Sequence, residues 1–384
     1  MNKLIIETNK LKKNIEIIKS LTEAEIIAVV KGNGYGLGFL EYTRFLSENG
    51  INLFAVSDIS DAVLLSQNGF RENVMLLSPP YNEEEAELII SNKIICTIDS
   101  IASASLVDKT AAKLNAIAKV HVEIDTGFGR FGFLAEVNRN NFSVNDNFNY
   151  FSVNGDNFNY IEDACTYLSS LSNIEIEGTY THLSSSFSKK TRYIKVQYDK
   201  FQKAVELMKT KGLNPGKLHI CNSSAFLRFP YMHMDAVRIG SAFLGRIPME
   251  NSFGLQKIGY LKSNIVEARK LPPGHNVGYA NTFTTKRITK VGIIPVGYMH
   301  GFGIEKSRDT FRFIDVLRYV YNDLKSFNKK ILVKVNGNYA PVIGRICMYH
   351  TIVDLTNINA TTGDEVVLDI NPLYIPKEIK REYV

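Results

Sequence analysis

Ile26-Ile27-Ala28-Val29-Val30-Lys31-Gly32-Asn33-Gly34-Tyr35-Gly36-Leu37-Gly38 is the stretch on which the fold turns. Its first five residues are apolar and include two β-branched pairs, which is how a strand buried on both faces reads. Lys31 follows directly and has two readings. It marks the return of the chain to solvent, its stem lying along apolar surface, or it is a reactive amine held over a crowded site. The glycines at 32, 34, 36 and 38 let backbone approach a ligand closely. Their spacing fits neither the Walker pattern nor a clean dinucleotide fingerprint, so the rest of the chain has to decide.

Outward from this strand, short apolar runs recur at residues 53–56, 74–77, 94–98, 120–124, 176–180, 218–221 and 236–239. A helix capped by Asn9 precedes the first strand, and helical patterns such as 82–90 and 196–211 fill most of the intervals. Strands alternating with helices in this number predict an α/β fold, an N-terminal (β/α)8 TIM-like barrel over residues 1–245. An open doubly wound sheet is the other arrangement of the same units. The barrel is preferred because Lys31, Arg130, His182, Asn222, Ser223 and Arg238 all fall at or just beyond C-terminal strand ends, where barrel enzymes place their sites. From residue 246 the alternation stops. β-type runs punctuated by Gly and Pro take over, so residues 246–384 are expected to form a mostly β domain with a helix near 314–327. An Asn-rich insertion at about 137–160 holds a tandem duplication, 142–150 against 151–160. It reads as a surface loop or a hairpin.

The bulk numbers narrow the partners. The 384 residues are 45% hydrophobic and 22% charged, as in a soluble globular protein. The net charge of +6 is spread along the chain, without an arginine-rich arm or a nucleic-acid motif. It concerns solubility and anionic ligands, and no nucleic-acid partner is expected. The N-terminal residues do not form a signal peptide and no apolar run approaches membrane-spanning length, so no membrane association is expected. Cys96, Cys165, Cys221 and Cys347 are far apart and form no CxxC pair. No metal site is expected, and a reducing cytoplasm fits.

Taken singly, the strand-end residues are modest signals. Arg130 lies in the glycine-rich Asp125-Thr126-Gly127-Phe128-Gly129-Arg130, suited to an anion or simply a surface charge. His182 is structural or catalytic. Asn222-Ser223-Ser224 and Gly240-Ser241 are ordinary loops or hydroxyl and backbone N–H donors to a phosphate. Together they carry a resemblance. Ala28-Val29-Val30-Lys31-Gly32-Asn33-Gly34-Tyr35-Gly36, Asp125 to Arg130, Thr181-His182, Asn222-Ser223, Val237-Arg238-Ile239-Gly240, Val277-Gly278-Tyr279, Gly297-Tyr298 and Gly344-Arg345-Ile346-Cys347-Met348 occur in that order over nearly the whole chain. In this the sequence resembles the alanine racemases that depend on pyridoxal phosphate (PLP), including their serine-racemase relatives of the vancomycin-resistance type.

The resemblance implies roles. Lys31 would carry PLP as a Schiff base. Tyr35, Ser223 and the backbone of Gly240 and Ser241 would hold its phosphate, with Asn222 beside them. His182 would lie against the ring, and Arg238 would bond the ring nitrogen. Arg130 and the backbone of Met348 would meet the substrate carboxylate, with Tyr298 and Asn371 also on the substrate side. Lys31 and Tyr279 would serve as bases on opposite faces of a small amino acid, alanine or serine. Since the family takes that tyrosine from a second subunit, a homodimer with shared sites is implied. Decarboxylation of a basic amino acid, or PLP binding without turnover, are the alternatives.

Three departures stand out. Glu123 occupies the place of a carbamylated lysine and would hold Arg130 in its stead. Tyr349 replaces an aspartate. The short tail puts Asn371, or else Tyr374, where alanine racemases carry a tyrosine. The glycines at 32 and 34 stand where alanine is usual, at a cost in rigidity that the sequence does not explain.

Overall fold

A computed structural model describes residues 2–71, 73–135, 160–305 and 308–384. The duplicated segment therefore lies outside the described residues, apart from Tyr160, which precedes the helix Ile161–Ser170. The chain divides into two compact units. One comprises Lys10–Tyr35 and Phe39–Lys257, the other Met1–Asn9, Gly36–Gly38 and Ile258–Val384.

The larger unit is the barrel. Its parallel strands are Glu25–Val29, Leu53–Val56, Val74–Leu76, Cys96–Ile98, Ala118–Asp125, Ile174–Tyr180, Lys217–His219 and Ala236–Ile239. The last pairs with the first, Ala236 opposite Glu25 and Ile239 opposite Ala28. A bridge between Met75 and Ile95 joins the third strand to the fourth and completes the ring. Ile27, Val29, Leu53, Ala55, Met75, Ile95, Tyr180 and Ala236 pack together in the core. The outer helices each bury one stripe. Arg192–Thr210, for example, buries Ile194, Phe201, Ala204, Val205 and Met208 at helical spacing. Side-chain caps set helix starts: Asn82 accepts from Glu85 N, and Ser100 forms a capping box with Ser103. A short strand, Phe133–Leu134, pairs with the end of Ala118–Asp125 and was not expected.

The smaller unit is rich in strands. Asn338–Pro341, Leu332–Val335, Glu365–Leu368, Tyr260–Asn264, Lys3–Ile6 and Lys380–Tyr383 form one sheet in that order. Glu267–Leu271, Thr289–Ile294 and Thr351–Asp354 form another. Here the expected division needs correcting. The N-terminal residues were placed with the barrel, yet Lys3–Ile6 runs between Tyr260–Asn264 and Lys380–Tyr383. Three of its four residues are buried, and only a strand hydrogen-bonded along both edges satisfies that much buried backbone. The division after the barrel falls at 257 instead of 245.

The same unit claims Gly36–Gly38, the last three residues of the opening stretch. Arg381 Nε donates to Gly36 O at 3.1 Å, and Tyr383 Oη donates to Leu37 O at 3.1 Å. Gly36 has φ +88°, and a Cβ there would sit 1.9 Å from Pro372 O, so only glycine fits. Among the described residues no helix is long and apolar enough to cross a membrane.

Candidate active site

At the C-terminal ends of its strands the barrel opens into a cavity of about 570 Å3. Lys31 enters it from the first strand, and the turn behind it accounts for the glycines. Gly32, Asn33 and Gly34 have φ/ψ of 64/48°, 56/46° and 62/43°, and Tyr35 has φ 52°. This is a left-handed turn, closed by Gly34 N donating to Val30 O at 2.9 Å. Each residue with a Cβ loses roughly 1–2 kcal/mol in that conformation. Glycine removes the loss at two positions, and asparagine tolerates the third. The glycines thus serve an imposed conformation and are no sacrifice of rigidity. Lys31 Nζ reaches Ser57 Oγ at 3.5 Å. Burial, then the charges of Arg130 and Arg238, pushes its amine below the ordinary lysine value.

Arg238 is buried at 3% exposure and is fixed by acceptors of the barrel itself. Nη1 donates to His219 O (3.0 Å) and His219 Nδ1 (2.6 Å), and Nη2 donates to Thr181 O (2.7 Å) and Ile220 O (3.4 Å). An arginine only donates, so His219 accepts at Nδ1 and its proton sits on Nε2, 2.8 Å from His121 Nδ1. Burial keeps both histidines neutral, His121 down to about 3 and His219 well below the ordinary value. The Nε–H of Arg238 is the donor left over, and Arg238 lines the cavity.

Tyr180 stacks on His219 with centroids 5.0 Å apart and lies under the Arg238 guanidinium, also at 5.0 Å. Its hydroxyl donates to Glu123 Oε2 at 2.9 Å. Burial raises the Glu123 carboxyl to about 7 against the pull of that hydrogen bond and of Arg130 and Arg238. The contact expected between Glu123 and Arg130 is therefore not what the structure holds. The carboxylate binds Tyr180, while Arg130 lies over the rings of Phe128 and Phe131 at 4.8 and 5.6 Å. Phe128 also meets His182 edge-on at 4.9 Å. Burial, then Arg238, Arg130 and Lys31, lowers His182 to about 3, so it is a neutral imidazole.

Across the cavity, Ser223 Oγ accepts from Gly240 N (3.0 Å) and Ala242 N (3.3 Å). A Cβ on Gly240 would lie 2.3 Å from Tyr35 Oη, so the phenol rests on the bare backbone there. Burial raises the Tyr35 phenol, which stays neutral. Asn222 is committed elsewhere: its Oδ1 accepts from Ser224 N, Ala225 N and Ser186 Oγ. Of the barrel residues expected at the site, the cavity gathers Lys31, Tyr35, Arg130, His182, Asn222, Ser223, Arg238, Gly240 and Ser241. Ser57, Ser78, Tyr180 and Ser186 line it too and were missed. Ser57 and Ser78 follow strands, so the strand-end rule that found Lys31 would also have found them.

The remaining expected residues lie in the smaller unit, where separate motifs converge. Tyr298 N donates to Cys347 O (3.1 Å) and Met299 N to Met348 O (3.0 Å). A Cβ on Gly344 would meet Val277 O at 2.5 Å, which puts the Val277-Gly278-Tyr279 segment beside Gly344-Arg345. Tyr279 is 68% exposed. Asn371 Oδ1 accepts from Leu373 N at 3.2 Å and so caps the turn Pro372–Tyr374.

Lys31, Arg130 and Arg238 line the cavity, and among the described residues no aspartate or glutamate does. Fold and site together define a two-domain barrel protein whose mouth is built for a small anionic molecule. The family model for the alanine racemase N-terminal domain matches residues 6–141 and 154–248, and that for the C-terminal domain matches 258–372. The alanine racemase of Clostridium novyi (strain NT) is 31% identical over 372 residues, covering 94% of this chain and 84% of that protein. The alanine racemase of Clostridium perfringens (strain SM101) is 32% identical over 370 residues, with the same coverages. Among solved structures, the alanine racemase of Clostridium difficile 630 superposes with a TM-score of 0.80 at 25% identity, covering 100% of this chain and 95% of that one. The chain belongs to the alanine racemase family.

Proposed function

We propose that this protein interconverts the enantiomers of a small amino acid, alanine first and serine beside it, with PLP as cofactor and Lys31 and Tyr279 as the two bases. The observation that carries the reading is the cavity at the strand ends, which presents three cations, one of them a lysine of lowered basicity, and among the described residues no carboxylate.

The residues fit the cofactor. The leftover Nε–H of Arg238 is a donor for the ring nitrogen, and arginine cannot surrender its proton there. The bare face of Gly240 under Tyr35, with Ser223 and Ser241 alongside, suits a phosphate. Lys31 supplies the amine that holds the carbonyl. When bound, PLP takes up the electron pair left behind by the α-proton. The chain's own residues do the rest. Lys31, its amine lowered by burial and then by Arg130 and Arg238, takes or returns the proton on one face. Tyr279 does so on the other. Its phenol needs neighbouring donors to become a base, and a neutral His182 can donate without adding charge. Arg130 and the Met348 backbone orient the substrate carboxylate. A basic amino acid is disfavoured, because its second cation would meet three cations and, among the described residues, no carboxylate in this cavity.

Tyr279 is read as serving the barrel of a second copy, so that two subunits share two sites. With PLP the protein should absorb visible light and invert L- and D-alanine, and Lys31→Ala should do neither. A colourless protein, or one that inverts no member of a panel of amino acids, would sink the reading. Sharing is tested by mixing. Lys31→Ala and Tyr279→Phe variants, each inactive, should regain about a quarter of wild-type activity when re-associated, since half of random dimers hold one intact site. No regain would remove the shared site.

A further inference from the structure

The outer helix Arg192–Thr210 carries a polar side chain in its apolar stripe. Gln197 stands between Ile194 and Phe201 on that face and is fully buried. An amide in such a place is costly unless its hydrogen bonds are met, and a methionine would fill the same space without the cost. Here both acceptor positions and both donors are used, by the two strand-end loops that carry His182 and Arg130. Oε1 accepts from Ser184 N (3.0 Å) and Ser184 Oγ (3.1 Å). Nε2 donates to His182 O (3.2 Å) and Thr126 Oγ1 (3.2 Å). A backbone N–H only donates and a carbonyl only accepts, so these partners leave the amide a single orientation.

The links continue on both sides. The Thr126 hydroxyl accepts from Gln197 and donates its own proton to Thr181 Oγ1 at 2.9 Å. The carbonyl of Thr181 accepts from Arg238 Nη2 at 2.7 Å. Successive carbonyls at this strand end are thus gripped by different partners, Thr181 O by Arg238 and His182 O by Gln197, and the backbone that aims the imidazole is fixed. On the other loop Arg130 rests on the rings of Phe128 and Phe131, so its place follows the loop. Asp125 folds that loop by accepting from the N–H groups of Gly127, Phe128 and Gly129. Gln197 ties it down at Thr126, and Tyr193, one turn earlier on the same helix, does so at Gly127 O with a bond of 3.0 Å. The loops meet again where Phe128 lies edge-on to His182 and beneath Arg130, so a shift of one against the other moves both groups.

We propose that Gln197 is a positioning residue for the reaction: from behind the cavity it holds Arg130 and His182 in fixed relation, given the roles proposed above for Arg130 at the substrate carboxylate and His182 at the cofactor ring. Gln197 itself does not line the cavity.

The probe is propionate, the carboxylate of alanine without its amine, titrated by calorimetry into the PLP-loaded protein. Gln197→Met keeps the volume and removes the amide. It should weaken propionate about tenfold, the worth of one buried hydrogen bond. KM for L- and D-alanine should rise by a like factor with kcat little changed, and the visible circular dichroism of bound PLP should alter. Gln202→Met, on the exposed side of the same helix, where the amide donates to Tyr198 Oη, should change none of these. A glutamine with a merely structural role would lower the urea midpoint and leave propionate and the dichroism as they are. Should Gln197→Met fold poorly, the link can be cut at Thr126. Thr126→Val keeps the shape without the hydroxyl and should weaken propionate in the same way, whereas Thr126→Ser should bind it as the wild type does. Wild-type affinity for propionate in folded Gln197→Met, or in Thr126→Val, would overturn the proposal. A wild type that binds no propionate would instead bring down the role given to Arg130, and this inference with it.

Discussion

The barrel interior and the Phe313–Ser326 helix break the usual partition of residues in opposite directions. The barrel unit buries an arginine, three histidines and a glutamate. The helix exposes phenylalanines and leucines. In the barrel every departure has its partner: Arg238 has backbone and imidazole acceptors, His219 has His121, and Glu123 has Tyr180. On the helix the apolar side chains have none within their own element, while Asp315, Arg318 and Asp323 are paired. Buried polar groups with complete partners belong to a finished, preorganised site. An exposed apolar stripe lacks that preorganisation. Each side of this contrast can be broken.

The largest effect is expected at Lys31. Lys31→Ala should lower racemisation in both directions by at least about 10³-fold, read from initial rates with each enantiomer, and should abolish the visible band. Arg238→Met comes next. It leaves His219 Nδ1 and the carbonyls of His219, Thr181 and Ile220 without their donor in a buried site, and should cost about 3–5 kcal/mol in urea unfolding. The mirror change on the helix, Leu324→Ser, should move the stability of a lone subunit by less than about 0.5 kcal/mol. If Leu324→Ser cost as much as Arg238→Met, the helix would be buried after all and the contrast would fail.

The buried acids and bases give the comparison a pH axis. Glu123 rises from 4.5 to about 7 on folding, so between those values the folded state holds more protons than the unfolded one. Stability from this group is then full below pH 4.5, falls as pH rises, and is lost above pH 7, by about 3 kcal/mol. His121 and His182, both lowered to about 3, act in the opposite sense. Their contribution is present above the ordinary 6.5 and is lost as pH falls towards 3. Glu123→Gln should therefore gain on the wild type between pH 5 and pH 8 in parallel urea titrations. A constant difference across that range would mean that Glu123 titrates normally. On the helix, Arg312 and Arg308 hold the Asp315 and Asp323 carboxyls below their ordinary value, so what these pairs contribute is lost only as pH falls below the carboxylate range and their removal should leave pH 5 to 8 unchanged.

Much of the barrel was legible in the sequence because its strands are continuous apolar runs and its chemistry sits at their ends. The periodicity alone placed Lys31, Arg130, His182, Ser223 and Arg238 at one mouth. Tyr180 and His219 end their strands but escaped because a ring closing an apolar run reads as core. Lys3–Ile6 was assigned by its place in the chain, but strand pairing joins residues far apart in sequence, and its partners begin at Tyr260 and Lys380. Glu123 was expected to hold Arg130, whereas its hydrogen bond goes to Tyr180 and Arg130 acts on it through charge. The helix near 314–327 was legible as a helix, but no periodicity says whether its stripe meets its own chain or another.

The smallest effect expected is at Gly32, and it is diagnostic through its sign. In a right-handed helix the change from glycine to alanine stabilises by roughly 1 kcal/mol, since alanine restricts the unfolded chain and favours that conformation. At φ 64° and ψ 48° the same change puts a Cβ against the following carbonyl and should cost roughly 1–2 kcal/mol instead. Gly34→Ala should cost more, because its Cβ would also lie 2.9 Å from the ring of Tyr42. The readout is urea unfolding of both variants beside PLP affinity. A left-handed turn ties Lys31 to Tyr35 within four residues, so its relaxation should weaken cofactor binding along with stability. If Gly32→Ala stabilised the protein, the turn would be right-handed, Lys31 and Tyr35 would point differently, and the barrel mouth would lose the preorganisation that sets it apart from the exposed helix.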